Sequence, residues 1–310
     1  MANAAAPSSP LGRIRNSDLW IAFRNSKTTM LAALLTLGFA LAAIAAPLIA
    51  PQNPFDPAAL DLSNSLVPPL WLESGRTPYL LGTDEQGRDV LSAILYGLRI
   101  SLAVGLLSVA VSAALGVPLG LVAGYFGGVA DALIMRVADV QPTVPAILMA
   151  LLMDGVVKSV LGGQADTMTM LGVLVASIGL SFWVQYARTV RGLTMVETKK
   201  DYVTAARLIG LSAPLILLRH LLPNVLGPVL VIATINLALA IATEATLSFL
   251  GSGMPPTTPS LGTLIRTGNN FLFSGDWWIV ACPGAALAML VLAVNLLGDG
   301  LRDALNPRLR

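Results

Sequence analysis

The sequence predicts an all-α, polytopic membrane protein with six transmembrane helices. Of its 310 residues, 55% are hydrophobic and only 12% are charged, and the mean hydropathy is +0.76. A soluble domain carries about 25% charged residues, so this chain lacks much of the polar surface of a water-soluble enzyme. The net charge of +2 gives no cationic excess that would bind nucleic acid. A single cysteine (Cys282) and a single histidine (His220) exclude a disulfide framework and a thiolate or imidazole metal site.

Long intervals without a charged residue locate the spans, because about 20 apolar residues are needed to cross about 30 Å of hydrocarbon. Five such intervals are clear, and the shorter interval from Asp139 to Asp154 gives a weaker additional span. A re-entrant or interfacial segment is the alternative for that weaker interval. In chain order the predicted spans are Met30–Ala50, Ser101–Tyr125, Val137–Met153, Met170–Ala187, Leu221–Thr243 and Trp277–Leu297.

The positive charges indicate an orientation, because Lys and Arg accumulate on the cytoplasmic side of a membrane. With both termini in the cytoplasm, the inner segments hold most of the 19 basic residues, and the reversed topology inverts this bias. The predicted organisation is a cytoplasmic tail with an amphipathic segment (1–29), a first helix with an extracytoplasmic loop (30–99), a core of five helices (100–298) and a cytoplasmic tail (299–310).

The extracytoplasmic loop is rich in proline and ends in a run of carboxylates. Asp84, Glu85 and Asp89 lie within six residues, but the ligand spacing of an EF-hand calcium loop is absent. We therefore interpret the run as a polar turn in which Thr83 or Asp84 caps the next helix.

The longest cytoplasmic loop, residues 188–220, carries the most informative pattern. Residues 204–208 favour a short helix that Gly210 can end in the left-handed conformation, and Pro214 limits where the next helix begins. The small side chains of Ala205 and Ala206 allow another protein's backbone to approach closely. The alternative is a basic loop that only satisfies the cytoplasmic charge bias.

The spacing in this loop resembles the EAA loop of ABC importer permeases. Ala205 and Ala206 are followed by Gly210 and, thirteen residues after that glycine, by the end of Leu222-Pro223, whereas Thr204 stands at the motif's usual glutamate. Three further segments are similar to C-type permeases of dipeptide, oligopeptide and nickel importers: Leu81–Leu102, Glu244–Gly253 and Asn295–Arg310.

This resemblance implies a type I ABC importer permease with a methionine-importer-like fold in a bacterial inner membrane. The implied partners are a homologous B-type permease, two ABC ATPase subunits and an extracytoplasmic solute-binding protein. ATP and Mg would be bound by the ATPase subunits, and this chain would hold no cofactor. The implied cargo is a di- or oligopeptide, with nickel chelates, glutathione or opine-like compounds as alternatives. The implied ATPase-coupling residues are Tyr202, Thr204, Ala205, Ala206, Arg207, Gly210, Leu222 and Pro223.

Two absences support this interpretation. The sequence contains no G-x-x-x-x-G-K-[ST] phosphate loop, so ATP hydrolysis has to come from a partner. Ionisable residues are scarce within the predicted spans, which disfavours a self-sufficient secondary carrier. Polar residues in or beside the apolar runs could line a translocation path or, alternatively, pack between helices: Gln185, Thr234, Asn236 and Glu244.

Overall fold

The computed structural model describes residues 26–56, 60–160 and 166–305, so residues 1–25 and 306–310 of the predicted tails lie outside the described residues. Within these ranges the chain is helical, and the only strand-like pairing is an isolated bridge between Thr83 and Asp89. The helices are α1 (Lys27–Ile49), α2 (Val90–Phe126), α3 (Gly128–Val140), α4 (Ala146–Val160), α5 (Thr167–Glu197), α6 (Asp201–Leu208), α7 (Ala213–Ile216), α8 (Leu222–Leu250), α9 (Leu261–Asn269) and α10 (Trp278–Leu305).

Five helical segments of the described part are long and apolar enough to cross a membrane: α1, α2, α5, the α7–α8 rod and α10. A sixth crossing exists only if α3 and α4 are counted together, and the axis bends by 87° between them. The predicted span Val137–Met153 is therefore wrong as a single helix. Pro145 has no N–H to donate within a helix, and it disfavours helical geometry at Val144, which is extended (φ −98°, ψ 113°).

The α7–α8 rod runs from Ala213 to Leu250, which is longer than the predicted span. Between α7 and α8 the helix widens, and the Leu222 N–H bonds to the carbonyl of Leu217, five residues back. The ring nitrogen of Pro223 cannot donate to the preceding turn, which explains why the helix widens at this point. The 38 residues of the α7–α8 rod span about 57 Å, whereas a bilayer with its headgroups is about 40–45 Å thick, so an untilted rod is longer than the membrane.

At the other end of these helices, the described residues of the segment 50–89 (50–56 and 60–89) are held by side-chain hydrogen bonds to the backbone. The Thr83 hydroxyl donates to the Asn64 carbonyl at 2.6 Å and accepts from the Val67 N–H at 2.8 Å. The indole of Trp278, at the start of α10, donates to the Thr83 carbonyl at 3.1 Å. Thr83 therefore fastens the segment to the helices beneath it.

The residue that caps α2 differs from the prediction of Thr83 or Asp84. Asp89 is the cap, and its carboxylate accepts from the Ser92 N–H at 2.8 Å. Asp84 accepts instead from the backbone N–H groups of Gln86 and Arg88, at 2.9 and 3.0 Å, and from the Arg88 guanidinium at 2.7 Å. These bonds form the predicted polar turn, and α2 begins directly after it.

Three glycines of α2, spaced four residues apart, face α5 along the most extensive contact between helices in the described part. A Cβ atom built on Gly120 would lie only 2.5 Å from the carbonyl oxygen of Ala187. The two backbones therefore approach as closely as in small-xxx-small helix pairs of membrane proteins. The three glycines, which we call the glycine face, are Gly116, Gly120 and Gly124.

We predict that Gly120→Ala destabilises the chain, because overpacking a close helix contact costs about 1–3 kcal/mol. Gly192→Ala is the matched control, since Gly192 is also inside a helix but has no neighbouring atom within 4 Å of an added Cβ. Alanine there is expected to be neutral or stabilising, by up to about 1 kcal/mol. Unfolding temperatures of the two purified variants in detergent check this. Equal temperatures would contradict the importance of the glycine face.

Candidate functional site

The short helix α6 lies at the N-terminal end of the α7–α8 rod and ends as the sequence predicts. Gly210 has a positive φ of +78°, and the Leu211 N–H bonds back to the Ala206 carbonyl at 3.1 Å. No atom lies within 4 Å of a Cβ added at Gly210, so its φ rather than lack of space favours glycine. The negative charge of Asp201 in the first turn and the positive charge of Arg207 in the last turn both interact favourably with the helix dipole.

One face of α6 packs against the spans of this chain. Val203 and Ala206 are 0% and 4% exposed and belong to an apolar cluster with Leu121 of α2 and Tyr186 of α5. Ala206 therefore contacts the chain's own core, which corrects the expectation that both alanines face another protein. Ala205 is exposed and retains that position.

Polar contacts fasten α6 to three spans. The Tyr202 hydroxyl donates to the Glu197 carboxylate at the end of α5 at 2.7 Å and accepts from the Asn224 amide of α8 at 2.9 Å. Burial and the hydrogen bond to Glu197 raise the pKa of Tyr202, so the hydroxyl remains a neutral donor. The Arg207 guanidinium lies 4.7 Å from the centre of the Tyr125 ring at the end of α2. These contacts hold α6 against α2, α5 and α8.

The opposite side of α6 presents apolar side chains to the outside. Leu208 is 82% exposed and Ile209 is 75% exposed, and we call this pair the α6 tip. Thr204 and Pro223 are also exposed, whereas Leu222 is half-buried. Large exposed apolar side chains on a projecting segment are typical of a contact with another protein. The sequence does not predict the α6 tip, because two apolar residues beside a glycine show no helical periodicity.

A buried polar cluster lies near the other end of the rod, around Glu244. Its carboxylate is 0% exposed and accepts from the hydroxyls of Ser101 on α2 and Ser248 on α8, at 2.9 and 2.6 Å. Ser260, which caps α9, donates to the Ser248 hydroxyl at 3.1 Å, and the Leu261 N–H donates to the Ser101 hydroxyl at 3.2 Å. This Glu244 cluster joins α2, α8 and α9. Glu244 therefore lies inside the chain, between helices.

The other three predicted path residues are scattered. Gln185 is exposed on α5. The Thr234 hydroxyl is half-buried and donates to the Val231 carbonyl of its own helix at 2.8 Å. Asn236 is 1% exposed and lies beside Tyr186, and neither side chain has a hydrogen bond of good geometry within the described residues. Among these three, only Gln185 offers an exposed polar side chain on a span.

We predict that Glu244→Leu lowers the unfolding temperature of the chain. It leaves the Ser101 and Ser248 hydroxyls without an acceptor, and each unpaired buried group costs about 1–3 kcal/mol. Glu244→Gln keeps an acceptor oxygen and is expected to have a smaller effect. Thr246→Leu, on an exposed position of the same helix, is the control. Equal unfolding temperatures for the Leu and Gln variants would show that these hydrogen bonds do not hold the cluster.

Two known protein families match this chain, one near its N-terminus and one from residue 116 onwards. Residues 116–310 match the family described as binding-protein-dependent transport system inner membrane component, and residues 16–69 match the N-terminal transmembrane domain of oligopeptide transport permease C. The dipeptide transport system permease protein DppC of Haemophilus influenzae is 40% identical over 98% of this chain and 97% of its own length. The di/tripeptide transport system permease protein DppC of Pseudomonas aeruginosa is 38% identical over 94% of this chain and 92% of its own length.

A solved structure shows that the fold is shared as well. The inward-facing MetNI methionine ABC transporter superposes with a TM-score of 0.53 at 20% identity, covering 70% of this chain and 97% of the solved chain. The predicted all-α, type I importer fold is confirmed. The family match over residues 116–310, together with relatives about 40% identical over nearly the whole length, shows that this chain belongs to the inner membrane component family of binding-protein-dependent transport systems, the permeases of ABC importers.

Proposed function

We propose that this permease forms half of the translocation pathway of an ATP-driven importer for di- or oligopeptides. The names of the near-full-length relatives, which refer to dipeptide and di/tripeptide transport, support this cargo. A homologous B-type permease would supply the other half, and an extracytoplasmic solute-binding protein would deliver the peptide. Two ABC ATPase subunits would bind ATP and Mg, since the sequence has no phosphate loop of its own.

The observation that carries the proposal is the two-sided character of α6. Its tip, Leu208 and Ile209, is exposed and apolar, whereas Val203 and Ala206 on the other side are buried in the membrane domain. We assign the tip, with Thr204 and Ala205, to contact with an ATPase subunit. Closure of the ATPases on ATP would then push α6, and the bonded ends of α2, α5 and α8 would move with it as a rigid body.

This assignment implies an orientation of the chain in the membrane. The α6 end of the molecule faces the cytoplasm, where the ATPases act, and the segment 50–89 and helix α9 lie outside the inner membrane. The basic residues around α6 support this arrangement, because positive charge is enriched on the cytoplasmic side. Five basic residues lie near α6, in the last turns of α5, between α5 and α6, or on the α7–α8 rod: Arg188, Arg191, Lys199, Lys200 and Arg219.

We predict that Leu208→Ser combined with Ile209→Ser abolishes uptake and ATPase co-purification. Each large apolar side chain is worth about 1.5–3 kcal/mol when buried in a contact, so association weakens by about a hundredfold or more. Membrane abundance should stay normal, because both side chains are exposed. The assay compares permease abundance, ATPase co-purification and peptide uptake in the same cells.

Two variants make the assay specific. Phe273→Ser removes a different large apolar side chain, which is 97% exposed and located between α9 and α10 on the opposite side, and should leave ATPase binding intact. Ala206→Trp overpacks the core beneath α6 and should lower permease abundance instead. Normal ATPase co-purification by the Leu208 and Ile209 double variant would contradict the proposed docking site.

A further inference from the structure

A groove of about 300 Å³ runs between α1 and α2 on the outer surface of the chain. The small side chains of α1 create the space, because alanines stand where larger residues would fill it. Its lining is apolar except for one guanidinium, that of Arg99. The apolar lining consists of Ala40, Ala43 and Ile44 of α1 and Leu102, Ala103 and Leu106 of α2.

Among the described residues, no carboxylate oxygen lies within 4.0 Å of the guanidinium nitrogens of Arg99. Its side chain is exposed, and the guanidinium carbon lies 5.9 Å from the centre of the Tyr96 ring. Tyr96 is in turn held edge-to-face by Phe55, with the ring centres 5.5 Å apart. The charge is therefore positioned by aromatic rings but not neutralised.

The charged group of Arg99 and the apolar lining of the groove lie at different depths along α2. Long side chains of a helix lean towards its N-terminus, and Tyr96 lies one turn nearer the start of α2 than Arg99. The guanidinium thus points towards the segment 50–89. Leu102 and Leu106 lie one and two turns further into the span and line the groove beneath the charge.

The groove sits at the depth where a bilayer changes from headgroups to hydrocarbon. Ile44, which lines it together with Arg99, lies five residues before the end of α1, or about 8 Å along the helix axis. Tyr side chains such as Tyr96 are enriched at this depth. An arginine at the margin of the hydrocarbon is stable only with a partner or with access to the interface.

We propose that this groove is a binding site for an anionic phospholipid. The phosphate would accept from the Arg99 guanidinium, whose planar donors match phosphate oxygens in pairs. One acyl chain would lie between α1 and α2 against the alanines and leucines. A free phosphate ion would use only Arg99 and leave the apolar groove empty, so the paired arrangement of charge and groove favours a lipid. The proposal does not depend on the transported cargo.

The test uses the full-length chain extracted from membranes with its lipids and examined by native mass spectrometry. Wild type should retain phosphatidylglycerol in preference to phosphatidylcholine when both are supplied, and added phosphatidylglycerol should raise its unfolding temperature. Arg99→Gln removes the phosphate partner and Ala40→Phe fills the groove. Each should lower phosphatidylglycerol retention at least fivefold and abolish the thermal shift.

Matched controls separate the site from general effects. Arg136→Gln removes a positive charge at an exposed position outside the groove. Ala42→Phe introduces the same large side chain on α1, two residues from Ala40 and outside the groove lining. Both variants should behave as wild type. Retention of phosphatidylglycerol by Arg99→Gln, or equal retention of the two lipids by wild type, would overturn the proposal. So would efficient cross-linking of Ala40→Cys to another permease subunit in membranes, which would show that protein covers the groove.

Discussion

The close approach of α2 and α5 is the constraint on which the rest of the structure depends. The glycine face brings the two helix backbones into contact. One turn before it, the Ser112 hydroxyl of α2 can donate to the Gly179 carbonyl of α5 at 2.9 Å. The paired helices then present Leu121 and Tyr186 as one apolar surface on which Val203 and Ala206 of α6 pack. The position of α6 is thus set by helix packing inside the membrane.

The two ends of the molecule are connected through the same spans. At one end α6 is bonded to α2, α5 and α8, and at the other the Glu244 cluster joins α2, α8 and α9. Because α2 and α8 take part at both ends, α6 and the Glu244 cluster are connected through continuous helices. The proposed function, in which partner subunits hydrolyse ATP, would use such a mechanical connection.

Much of this structure follows from local sequence. Charge-free intervals locate five spans correctly because the cost of burying charge in hydrocarbon dominates over packing. The left-handed Gly210 is likewise predictable, since its conformation depends on its own backbone. In contrast, the 87° bend between α3 and α4 is stronger than the sequence indicates, although Pro145 lies at its centre.

The remaining errors concern side-chain contacts that residue type and spacing alone do not determine. Asp89 rather than Asp84 caps α2 because Asp84 is occupied by the Arg88 side chain and two backbone groups. Nothing local distinguishes Ala205 from Ala206, yet only Ala206 meets the core formed by α2 and α5. The central claim, that α6 moves rigidly with the spans, is tested most directly by electron-electron distance measurements between spin labels at Asp201→Cys, an exposed position of α6 outside the proposed ATPase contact, and Phe126→Cys in a Cys282→Ala chain assembled with its ATPases. The account predicts the same distance with and without ATP, and a distance that changes on ATP binding would show that α6 moves independently of α2.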